Sequence, residues 1–130
     1  MKDSIFTKII KGEIPCHKVY EDEHTLAFLD IHPVQPGHTL VIPKKQVEFI
    51  WDLENDDYAA VMATVKAVGV RLRELLAVPY VGVKVVGVDV PHAHVHLIPF
   101  TTSEEYNTVV DIAVEPDHAF LATMAEKLHF

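Results

Sequence analysis

His92-Ala93-His94-Val95-His96-Leu97-Ile98-Pro99-Phe100 alternates imidazoles with aliphatic side chains over its first six positions. A period of two is the pattern of a β-strand with two unlike faces. The spacing predicts one strand over His92 to Phe100, with His92, His94 and His96 on one face and Ala93, Val95 and Leu97 on the other. The apolar set is expected against the core, so the histidine face lines a cleft or an open surface. Alternate residues step by about 6.6–6.8 Å, which puts the outer imidazoles roughly 13 Å apart at the backbone with His94 between them.

That arrangement suits phosphoryl chemistry. Neutral imidazole is a nucleophile near neutral pH and also carries protons. A phosphoryl group needs an in-line nucleophile and donors for its equatorial oxygens, so one ring attacks while its neighbours donate hydrogen bonds. Zinc is the second reading. An H-x-H pair is a two-tooth clamp, and a further ligand would come from His96, His38 or Asp89. No H-x-x-x-D-H or C-x-x-C accompanies it, which ranks metal below nucleophilic chemistry.

Outward from the histidines, Val81 to Val88 is dense in valine and predicts a buried strand, with Gly87 as a bulge. Asn55 to Leu76 predicts the long helix. Asn55, Asp56 and Asp57 supply a cap and an acidic first turn. Val61, Met62, Val65, Val68, Leu72, Leu75 and Leu76 form its core-facing stripe, and Gly69 suggests a close packing contact. Lys18 to Glu21 and Thr25 to Asp30 predict two strands joined at Asp22-Glu23-His24. A loop at Pro33, Pro36 and Gly37 leads into a third strand, His38 to Pro43. Ser4 caps a short first helix bearing Ile5, Phe6, Ile9 and Ile10, which Gly12 ends. Pro116 opens a last helix toward Leu128. Strands in runs, between helices, give an α+β class with an antiparallel sheet of about five strands, one long helix and shorter terminal helices.

The chain has 130 residues, enough for one domain spanning 1–130. Its formal net charge of −8 argues against a nucleic-acid partner, because such binding rests on Lys and Arg neutralising phosphates. A small phosphorylated ligand remains compatible, since a few local donors hold one phosphate. Cys16 is the single cysteine, so neither an intrachain disulfide nor a cysteine zinc site is expected. Met1 to Phe6 lacks a signal-peptide apolar region and no stretch reaches membrane-span length. A cytoplasmic protein without a membrane partner is expected.

With these residues in place, the sequence resembles the histidine triad (HIT) family of nucleotide hydrolases and transferases. Its His-φ-His-φ-His-φ-φ signature, φ being apolar, is met by His92-Ala93-His94-Val95-His96-Leu97-Ile98. Ser4 to Pro15 is similar to the family's opening helix. Ala27 to Pro33 and Gly37 to Lys44 are similar to its nucleoside-binding strand pair. The resemblance covers about residues 4–100 and leaves 101–130 unassigned. It implies a compact HIT-like fold, usually a homodimer pairing across the long helix and the last strand, and no cofactor. By the resemblance His94 attacks the α-phosphorus of a purine nucleotide, such as a nucleoside phosphoramidate or a dinucleoside polyphosphate. Water then hydrolyses the nucleotidyl-histidine intermediate. His92 and His96 would bind phosphate oxygens or assist the leaving group, and His38 would hold the catalytic ring in its tautomer. Asp30 would accept the ribose hydroxyls, while Phe6, Ile9, Phe28 and Ile31 would wall the base pocket.

The likeness stops in two places. Eleven, four and three residues before the first histidine the family often carries polar side chains; here those positions are Val81, Val88 and Asp89. Phosphate and leaving-group contacts are therefore expected to be missing or supplied elsewhere, and a nucleotide-binding module with little catalysis is the alternative. Ser4 and Thr7 stand where some members have C-x-x-C, so no structural zinc is expected there.

Overall fold

Ser4 accepts the Thr7 N–H at 3.0 Å and starts helix α1, Ile5–Ile10. Gly12 follows at φ 80, a left-handed turn that glycine adopts without steric cost. In the computed structural model, which describes residues 2–130, strands β1 (Lys18–Glu21), β2 (Thr25–Leu29) and β3 (Thr39–Pro43) come next. The Asp22 carboxylate accepts the N–H groups of His24 and Thr25, both at 2.8 Å, and closes the β1–β2 turn. A short 3-10 turn at Ile50–Asp52 leads into helix α2, Asn55–Leu76. Strands β4 (Tyr80–Lys84) and β5 (Val95–Phe100) and helices α3 (Ser103–Tyr106) and α4 (His118–Leu128) complete the chain.

All five strands join one antiparallel sheet in the order β1-β2-β3-β5-β4. The expected α+β architecture with a five-stranded antiparallel sheet is the one found. One face packs on α2 and α4: Val19, Ala27, Leu29, Val41, Val95 and Leu97 meet Val61, Val65, Val68, Leu72, Leu121 and Leu128. The opposite face carries a smaller cluster under α1, in which Phe6 meets Leu26, Phe28, Leu40 and Ile42. Leu40 pairs across the ladder with His96, so His96 lies on the α1 face. Among the described residues no helix is long and apolar enough to cross a membrane.

Several expectations are corrected. The histidine strand begins at Val95, so His92 and His94 precede it. Pro91 has no N–H to pair, His92 N donates to Val90 O, and Ala93 N donates to Val47 O, so this backbone is bonded outside the ladder. The apolar alternation still holds, with Ala93, Val95 and Leu97 all in the α2-side core. The valine-rich strand ends at Lys84 and is an edge strand rather than a buried one. It has a single neighbour, so Val83 is half exposed, and Val85, Val86 and Val88 lie open beyond it. Gly87, at φ 78, is in that loop and not at a bulge. Glu54 occupies the cap position of α2 and Asn55 is its first helical residue, while Asp56 and Asp57 do form the acidic first turn. A Cβ at Gly69 would touch only Leu97, at an ordinary 3.6 Å, so no close approach demands glycine there. Helix α4 starts at His118 with Asp117 as its capping side chain, two residues later than Pro116 suggested.

Candidate active site

Four imidazoles gather on the α1 face, and the partners of each ring fix which nitrogen carries the proton. His92 is fully buried. Its Nε2 lies 2.8 Å from the Pro43 carbonyl, which only accepts, so Nε2–H donates there. Its Nδ1 then takes the Ser4 hydroxyl proton at 2.9 Å. Ser4 thus caps α1 and locks a histidine 88 residues away. Burial, chiefly, pushes the His92 pKa below the usual imidazole value.

His94 has its Nδ1 at 2.7 Å from the His92 carbonyl, so Nδ1–H donates and the Nε2 lone pair is left available. The Phe6 ring stands edge-on to it, with centroids 5.0 Å apart. His38 receives the Val34 N–H on Nδ1 at 3.0 Å, which makes its Nε2 the protonated atom. That Nε2–H donates to Nδ1 of His96 at 2.9 Å. His96 in turn carries its proton on Nε2. Burial, then the neighbouring ring, then the Lys84 charge hold His38 down to about 3 and His96 down to about 4. Both rings are therefore neutral at ordinary pH.

The site thus presents a lone pair on His94 beside an N–H on His96, with ring centroids 5.2 Å apart. The expected roles change accordingly. His38 orients His96 rather than the central ring. The His92 carbonyl orients His94, and the His92 side chain, with both nitrogens engaged, has no atom to offer a phosphate. The same engagement takes His92 out of an H-x-H zinc clamp, because neither of its nitrogens is free to ligate.

A different cluster has metal-compatible spacing: donor atoms of Asp30, His38 and His96 lie within 4.8 Å of one another. The tautomers oppose its use. His38 Nδ1 holds the Val34 N–H, so a metal on Nε2 would require an imidazolate.

Asp30 sits just past β2. One carboxylate oxygen accepts the His32 N–H at 2.8 Å, and the other lies 3.6 Å from His38 Nε2. Burial raises its pKa above the usual carboxylate value. Phe6 and Phe28 are buried against each other edge-to-face at 5.5 Å, and Ile9 packs on that cluster. Ile31, next to Asp30, is 43% exposed. Phe6 and Phe28 are thus core residues on the same sheet face as the histidines, with Ile9 packed on them. Val81 is on β4 and partly buried, while Val88 and Asp89 are exposed in the β4–β5 loop.

Ser4, Thr7 and Gln46 had drawn no functional reading. Thr7 Oγ1 donates to Gln46 Oε1 at 2.6 Å, and the Ser4 N–H donates to the same oxygen at 2.8 Å. The capping position of Ser4 was a sequence signal, but its bond to His92 spans too much chain to be read from spacing. The Val34 N–H carries no signal at all, since every non-proline residue has one.

A HIT domain matches residues 11–103. An uncharacterized HIT-like protein of Methanocaldococcus jannaschii is 46% identical over 99 residues, covering 73% of this chain and 77% of that one. Adenosine 5'-monophosphoramidase of Schizosaccharomyces pombe is 40% identical, covering 78% and 77% respectively. The crystal structure of a Hit-like protein from Bartonella henselae superposes with a TM-score of 0.83 at 30% identity, over 97% of this chain and 94% of that one.

Proposed function

The chain belongs to the HIT family, and on that premise we propose that it is a nucleotide-binding hydrolase that cleaves at the α-phosphate of a purine nucleotide through a nucleotidyl-histidine intermediate. One observation carries the proposal: the His92 carbonyl holds the Nδ1 proton of His94 and leaves the lone pair on its Nε2. In the first step that lone pair forms a bond to phosphorus, and the bond to the leaving group breaks with its electron pair going to the leaving group, which departs as a phosphate anion or, from a phosphoramidate, as an amine whose nitrogen has taken a proton from solvent. The positive ring so formed keeps its Nδ1–H on a carbonyl oxygen, which stabilises it. His96 Nε2–H donates a hydrogen bond to the charge developing on the phosphate or the leaving atom. In the second step a water oxygen bonds to phosphorus, the pair of the N–P bond returns to His94, and a proton leaves to solvent.

Asp30 accepts the ribose hydroxyls, because a carboxylate offers two oxygens to a cis-diol. Phe6, Ile9, Phe28 and Ile31 supply apolar wall for the base. The similarity to an adenosine 5'-monophosphoramidase supports an adenine nucleotide and a phosphoramidate bond. A homodimer belongs to the same proposal, supported by the half-exposed Val70, Tyr80 and Val83 on neighbouring α2 and β4. So does a cytoplasmic location, which the single Cys16 fits.

The test is mass spectrometry of protein quenched during turnover of adenosine 5'-monophosphoramidate or diadenosine triphosphate. A nucleotidyl adduct on His94, absent in His94→Ala, is expected. Nucleotide binding without adduct or turnover would leave a binding module instead.

A further inference from the structure

Three lysines flank the site in sequence, and the structure separates them. Lys44 is paired with Glu21 at 2.8 Å and Lys45 with Asp57 at 3.1 Å. Lys84 is half-buried, and among the described residues no carboxylate lies within the 4.0 Å of an ion pair. It is the last residue of β4 and sits directly across the ladder from His96. Cross-strand partners project to the same face, so its ammonium shares the cleft side with the catalytic rings.

Its position is built rather than incidental. Gly82, two residues earlier on the same face, leaves a gap that the Tyr106 ring fills; a Cβ there would fall 2.1 Å from a ring carbon. The Tyr106 ring in turn lies 5.8 Å from Lys84 Nζ, within cation–π range. Helix α3 is held in place by Gln35 Nε2, which donates to Glu105 O at 3.0 Å. The Lys84 charge is also felt by His96 and by His38, after burial and the neighbouring ring, as a downward pull on each pKa. Asp89 acts on His96 in the opposite sense and ranks last of its four influences.

We propose that Lys84 recognises a negatively charged leaving group, so that the preferred substrates carry further phosphates beyond the α-phosphate rather than a neutral amine. An unpaired cation in a chain of net charge −8 is costly to leave half-buried without an anionic partner. The leaving side of the α-phosphorus, next to the His96 N–H, is where such an anion would fall. Lys84 then supplies from β4 the contact that Val81, Val88 and Asp89 do not. The inference rests on the proposed hydrolase reading and adds to it the class of leaving group.

The experiment compares diadenosine triphosphate with adenosine 5'-monophosphoramidate, which share nucleoside and α-phosphate and differ only in what departs. In Lys84→Met, which keeps the aliphatic stem against Tyr106, the ratio of the two kcat/KM values should drop about 10- to 100-fold. Lys84→Arg should restore most of that ratio. Added salt should lower the ratio in the wild type and not in Lys84→Met. An unchanged ratio, whether both activities fall together or neither does, overturns the inference. Calorimetry with ATP and AMP on the non-turning-over His94→Ala protein gives an arm independent of turnover: the ATP preference should collapse when Lys84→Met is added. AMP binding with an unaltered ATP preference sinks this inference alone. No AMP binding and no His94 adduct sinks the parent reading and this one with it.

Discussion

The two ends of the histidine triad are built in opposite ways. At the first end, His92 is 0% exposed and both its nitrogens are consumed by the protein, one by Pro43 O and one by the Ser4 hydroxyl. At the last end, His96 is partly exposed, accepts one hydrogen bond from His38 and keeps an N–H unspent, across the ladder from a lysine that has no carboxylate partner among the described residues. Residues four positions apart with identical side chains thus do different work. The difference comes from what surrounds them. The first histidine sits in an irregular segment that α1 and the end of β3 can cover, whereas the last sits inside a strand paired on both sides, with its side chain only partly covered. One motif therefore divides into a scaffold half and a chemical half, with His94 at the boundary.

The sharpest test of that boundary is His94→Ala, which should lower kcat/KM by about 10³-fold or more, because it removes the attacking atom itself. A residual activity near wild type would erase the distinction between the halves. The next test separates the ends. His92→Ala should cost about 2–4 kcal/mol of stability in urea unfolding, since it empties a fully buried site and strands the Ser4 hydroxyl and a carbonyl. His96→Gln should cost less than about 1 kcal/mol yet slow turnover about 10²-fold, as loss of a positioned donor does. If both variants unfold alike, the asymmetry is not real.

Solution pH probes the wiring that both ends share. His38, His92 and His96 all have folded-state pKa values below the ordinary imidazole value, with His38 at about 3 and His96 at about 4. The unfolded chain therefore binds protons that the folded chain refuses as pH falls below about 6.5. More protons on the unfolded side means stability declines with falling pH, from about 6.5 down through the folded values, and is fully present above that window. Thermal melts between pH 7.5 and pH 4.5 should show this decline. The slope should be smaller in His96→Gln, which removes one of the resisting rings. A slope identical in the variant would break the assignment of His96 to the neutral network.

Much of this was legible from spacing and little of it from chemistry alone. Alternation at 92–97 placed Ala93, Val95 and Leu97 in the core and the histidines opposite them, because side-chain period survives even where the ladder does not. Helical period located α2 over Asn55 to Leu76, with the capping position one residue earlier than expected. The valine run misled for a physical reason: β-branched residues mark a strand but not how many neighbours it has, and β4 has one. Thr102-x-x-Glu105 was a readable capping box that went unread, and it starts α3, whose Tyr106 holds Lys84. The division of labour among the histidines was beyond the sequence. It depends on the Pro43 and His92 carbonyls and the Val34 N–H, backbone groups that every residue type supplies.

Ser4→Ala is the mildest of these tests and the most specific to the sealed end. The hydroxyl makes two bonds at once, accepting Thr7 N–H to cap α1 and donating to His92 Nδ1. Cap loss alone costs about 1 kcal/mol. The second bond adds the penalty of an unsatisfied buried nitrogen, so the total should reach about 1–2 kcal/mol. Thr7 Oγ1 stands 3.3 Å from the same ring nitrogen and already donates to Gln46, so it replaces the lost partner poorly. Because His94 is held by the carbonyl of His92 and not by its ring, a small tilt of His92 should reach the nucleophile as lowered kcat with KM nearly unchanged. Ser4→Thr, which keeps the hydroxyl, should recover most of both losses. A stability loss with no change in kcat would show that the sealed end supports the fold without aiming the chemistry.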